Sequence, residues 1–68
     1  MLSQARVIAK GDRIRDIARL VRQYGGRASD WVKKSSPEFE LDGKRFEYHW
    51  YERRGIPRVD ERLVHVDE

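Results

Sequence analysis

His49 is one of two histidines in a chain of 68 residues that contains no cysteine. It lies in the run Glu47-Tyr48-His49-Trp50-Tyr51-Glu52. Imidazole is the side chain that exchanges a proton near neutral pH without help. Read as a strand, this run puts Glu47, His49 and Tyr51 on one face, with Arg45 just beyond. A base, a carboxylate and a guanidinium on one surface match what internal transesterification of RNA requires. A base removes the 2′-hydroxyl proton, an acid protonates the departing 5′-oxygen, and cations hold the non-bridging oxygens. No metal or other cofactor is needed, because the nucleophile belongs to the substrate. His49 paired with Glu47, Glu61 or His65 supplies the acid and base. Arg45, Arg58, Lys33 and Lys34 are the candidate phosphate contacts, and Tyr51 can stack on a base or hydrogen-bond to it. An exposed strand charged for solubility accounts for Glu38, Glu40 and Arg45 equally well. It accounts less well for His49, Tyr51 and their neighbour Glu47.

The element that must position His49 is a β-hairpin over Phe39 to Glu52. Asp42-Gly43 is a two-residue type I′ turn signal, since both turn positions need positive φ. That turn pairs Leu41 with Lys44, Glu40 with Arg45 and Phe39 with Phe46. Alternation then sorts Phe39, Leu41, Phe46, Tyr48 and Trp50 onto a core face. Glu38, Glu40, Arg45, Glu47, His49 and Tyr51 fall on the other.

Upstream, Ala5 to Ala9 reads as either a short strand or a helical turn. Asp12 to Tyr24 reads as an amphipathic helix: Asp12 caps it, Ile14, Ile17, Ala18, Val21 and Tyr24 form its apolar stripe, and Gly25-Gly26 ends it. Its other side presents Arg15, Arg19 and Arg22, either as a solvated face or as a stripe that tracks phosphates. Ser29 or Asp30 caps a short second helix through Trp31 to Lys34, which Pro37 terminates. Arg58 to Val66 reads as a third strand with a bulge near Glu61-Arg62. The expected fold is therefore α+β. A helical half at 1–36 packs on a three-stranded antiparallel meander at 37–66, and residues 1–68 form one small domain.

The chain lacks thiolates for a disulfide framework or a zinc site, and it has no run of membrane-spanning length. It reads as soluble, with no membrane partner. Net charge is +3, unevenly spread: residues 1–36 carry nine Lys/Arg against three Asp/Glu, and residues 37–68 six against nine. A basic half suits a polyanionic partner such as RNA or DNA. Packing of a basic helix beside an acidic sheet explains the same asymmetry.

A resemblance carries the reading further. Gly11-Asp12-Arg13-Ile14-Arg15-Asp16-Ile17, Leu20-Val21, Tyr24-Gly25-Gly26, Ala28 to Lys34 and His49-Trp50-Tyr51-Glu52 occur in an order that resembles small toxin domains at the C-termini of bacterial polymorphic toxins. These include the Rhs and contact-dependent inhibition types. The likeness spans most of residues 10–59. It implies a ribonuclease-like fold of the barnase, colicin and RelE group, with His49 catalytic and Arg58 on phosphate. It further implies an endoribonuclease acting on tRNA or other RNA in the cytoplasm of a target bacterium, delivered within a secreted or surface toxin. An acidic immunity protein would then be its protein partner. The competing readings are a non-catalytic nucleic-acid-binding module and a small protein-interaction or inhibitor domain.

Overall fold

The turn at Asp42-Gly43 forms as its residues require, with φ of 53° and 77° at the two positions. A computed structural model describes residues 4–66. Its strands are β1 (Arg6–Lys10), β2 (Val32–Ser35), β3 (Phe39–Leu41), β4 (Lys44–Arg53) and β5 (Ile56–His65), and its one α-helix is α1 (Ile17–Tyr24). The hairpin register is the expected one: Phe39 opposite Phe46, Glu40 opposite Arg45 and Leu41 opposite Lys44.

The expected α+β architecture does not hold. Strands take 51% of the structure and helical residues 24%, so five antiparallel strands organise the chain rather than a three-stranded meander carrying two helices. One edge of β4 pairs with β5. The other edge is shared, β3 taking its first residues and β2 its last. Ser36 joins the two along that edge. Its amide donates to the Tyr48 carbonyl and its Oγ accepts from the Tyr48 amide, both at 2.9 Å. β1 flanks β2 and completes the sheet.

Trp31 to Lys34, expected as a second helix, is extended instead. Asp30 caps a single 3-10 turn at Ala28–Asp30 by accepting from the Arg27 amide, and Val32 to Ser35 then pair with β4. Four residues with an aromatic and a β-branched side chain cannot meet the cost of helix nucleation, whereas the free edge of β4 satisfies their amides at once. α1 is also shorter than expected. Gly11–Arg13 form a 3-10 turn and Ile14 is extended, so the α-helix starts at Ile17, with Asp16 rather than Asp12 before it.

α1 and the segments around it bury Ile14, Leu20 and Trp31, packed with Ala9, Ile17, Val21, Tyr24, Tyr51, Ile56 and Val59. Tyr51 and Val59 face each other across β4 and β5. The helix therefore sits on the face of Glu47, His49 and Tyr51, at its Tyr51 end. The hairpin alternation sorted the residues correctly, but the helix covers the opposite side from the one expected. β5 carries the expected irregularity: pairing jumps between Val59 and Arg62, and Arg58 and Asp60 adopt φ of 52° and 54°. The inserted residues bring Val59 and Val64 onto one face.

Candidate functional site

His49 stands mid-strand on β4, opposite Ser35 of β2 and Arg62 of β5. Its ring lies in a groove of about 300 Å³ lined by Lys33, His49, Tyr51, Asp60, Arg62 and Val64. The imidazole is neither sealed in the core nor free in solvent, its side chain being 18% exposed.

Nε2 of His49 is 2.9 Å from Oε1 of Glu47. The same oxygen accepts from Ser35 Oγ at 3.0 Å, and the other carboxylate oxygen pairs with the Arg6 guanidinium at 3.2 Å. Ser35 is fully buried and Glu47 only 9% exposed. The hydrogen bond from His49 holds the Glu47 carboxyl below its usual range. Burial opposes that shift, while Arg6 and Ser35 add to it. An ionised carboxylate only accepts, so Nε2 donates and Nδ1 keeps its lone pair in the neutral ring. Nδ1 has no protein partner among the described residues.

The other groove groups differ in how freely they can act. The Lys33 ammonium lies 5.7 Å from the centroid of the Tyr51 ring, opposite it on the neighbouring strand. Tyr51 belongs partly to the core, and its burial, followed by the nearby Asp16 charge, pushes its hydroxyl above the ordinary tyrosine value. Asp60 is held at 2.8 Å by Arg19 and contacts the Tyr24 hydroxyl at 3.5 Å. Arg19, fastened to Asp60, Asp16 and Gln23, has its guanidinium pKa raised by the Asp60 hydrogen bond foremost. It is thus unavailable for the helix stripe, while Arg15 is exposed ahead of α1.

Of the residues expected from the sequence, the structure brings Lys33, Glu47, His49 and Tyr51 together. Arg45 lies on the same face but toward the hairpin turn, 3.6 Å from Glu38. Lys34 and Arg58 are on the other side of the sheet. Lys34 bonds Glu52 at 2.9 Å, and Arg58 stacks over the Trp50 ring at 4.2 Å while pairing with Glu61. Arg58 therefore does not share the His49 groove, and neither does Glu61. His65 packs on Phe46 of that opposite face. Of the three proposed partners for His49, only Glu47 touches it.

Sequence reading missed Arg6, Ser35 and Arg62. Arg62 follows from the pairing of β4 with β5 once the bulge is placed one residue earlier, at Asp60-Glu61. Arg6 lies in a stretch that reads as either strand or helical turn, and Ser35 follows one that reads as helix, so nothing local sets either beside Glu47. Among the described residues no three His, Asp or Glu side chains converge as metal ligands, and no helix is long and apolar enough to cross a membrane. Comparison with known proteins finds no matching family model, no matching curated protein and no matching solved structure.

Proposed function

We propose that the chain is an endoribonuclease toxin domain that cleaves RNA by attack of a 2′-hydroxyl on the adjacent phosphate. The observation that carries this reading is the clamp on His49. Glu47, itself held by Arg6 and Ser35, engages Nε2 and leaves Nδ1 as the basic nitrogen beside an open groove. Nδ1 takes the 2′-hydroxyl proton, and the buried carboxylate stabilises the imidazolium that forms. Lys33 and Arg62, lining the same groove, offset the charge that grows on the non-bridging oxygens. The 5′-oxygen leaves with a proton from that imidazolium or from water entering the groove. Arg58, on the far face, takes no part.

The RNA is a structured one such as tRNA, encountered in the cytoplasm of a competing bacterium, and an acidic immunity protein covers the cationic groove in the producing cell. The test is to incubate the purified chain with total bacterial RNA and with tRNA. Discrete fragments ending in 2′,3′-cyclic phosphate are the expected product. Intact RNA in the presence of folded protein would refute the reading.

A further inference from the structure

The end of α1 meets the turn between β4 and β5 at a corner rich in arginine. Arg53 donates to the Tyr24 carbonyl at 3.2 Å and lies against Gly26, where a Cβ would meet its Cδ and Nε at 3.0 Å. That contact brings Arg27, which follows Gly26, and Arg54, which follows Arg53, to one place. Arg22 stands in the last turn of α1. Arg22, Arg27 and Arg54 are exposed. Among the described residues none of these four arginines has an ion pair. The carboxylates closest to them in the chain are engaged otherwise: Asp30 accepts from the Arg27 amide, and Glu52 pairs with Lys34.

A helix C-terminus favours one cation at its last carbonyls, and Arg53 fills that role. The other three exceed it. Arg53 is itself half-buried without a counter-charge, and its Nε–H has no acceptor, so an anion bound at the corner would offset an uncompensated charge. The guanidinium fork matches paired phosphate oxygens better than a point charge does. The position of the corner suits an RNA backbone that continues from the groove. Arg53 follows His49 by four residues on the same face of β4, a span of about 13 Å. Lys33, opposite Tyr51 on β2, stands between them. A strand of a few nucleotides bridges that distance.

We propose that this corner is a backbone-phosphate site for RNA, a few nucleotides along the strand from the His49 groove. The inference takes its ligand from the RNA-cleavage reading and adds to it a second point of attachment, outside the groove.

A short 2′-O-methyl RNA has no free 2′-hydroxyl to attack, so it reads binding apart from cleavage. Arg27→Ala and Arg54→Ala should each lower its affinity by about threefold to tenfold and reduce the slope of log affinity against log salt by about one. Lys44→Ala removes the same charge at the exposed far end of β4 and should change neither. Circular dichroism checks that each variant is folded. In an NMR titration with the same RNA, the Gly26 amide signal should shift together with that of Lys33. Unchanged affinity in both corner variants would overturn the proposal, as would RNA that shifts Lys33 and leaves Gly26 unmoved. Poly-glutamate that binds as tightly as the RNA and is weakened by the same substitutions would also overturn it, assigning the corner to an acidic protein. Bound 2′-O-methyl RNA that the corner substitutions weaken, with unmodified RNA left intact, would uphold the phosphate site and remove the cleavage reading.

Discussion

Glu47 and His49 are joined by a 2.9 Å hydrogen bond on one face of β4, while Tyr48 between them belongs to the opposite face. The strand's alternation thus separates a polar, titratable surface from an aromatic one within three residues. The carboxylate is not a free base: Arg6, Ser35 and His49 occupy it.

His49→Ala should lower the rate of RNA cleavage by about a hundredfold to ten-thousandfold, the usual worth of a positioned acid–base group. The ring contributes little to the core, so the circular dichroism spectrum should stay native. Unchanged cleavage by the variant would remove His49 from the mechanism.

Glu47→Gln should cost about 1–3 kcal/mol of stability in urea unfolding, because it disturbs a buried carboxylate with three donors. The pH dependence has a defined sign. The folded carboxyl lies below its unfolded value, so its stabilisation is complete above the unfolded pKa and is lost as pH falls through the folded one. The variant should therefore show a shallower loss of stability on the acid side of the ordinary carboxylate range.

Lys33→Ala and Arg62→Ala should each weaken RNA binding and reduce the slope of log affinity against log salt by about one. Arg58→Ala should leave that slope unchanged, since its guanidinium stacks on Trp50 across the sheet. Filter binding across a salt series separates the two groups.

Gly26→Ala tests the corner after α1. Gly26 has φ of 82°, and a Cβ there would meet Cδ and Nε of Arg53 at 3.0 Å. Arg53 in turn donates to the Tyr24 carbonyl at 3.2 Å and lies over the Trp31 ring at 5.8 Å. The substitution should destabilise the protein by about 1–2 kcal/mol from backbone strain alone, read as a lower urea midpoint.

Local chemistry made part of this protein legible from its residues. Asp42-Gly43 can hold two successive positive φ values, which sets the turn, the register and hence which side chains accompany His49. Gly25-Gly26 likewise ends α1, with φ of 85° and 82°. Partners distant in the chain decided the rest. Trp31 to Lys34 are compatible with helix or strand, and only the open edge of β4 makes them extended, which brings Ser35 to His49 and Lys33 to Tyr51. Alternation along a hairpin divides residues between two faces but does not name the covered one when both are aromatic. That choice follows from where Leu20, Val21 and Trp31 find Tyr51 and Val59 to pack against. The same choice places Arg58 away from the groove and Arg62 within it, because the left-handed residues of β5 shift its register in a way that local spacing does not encode.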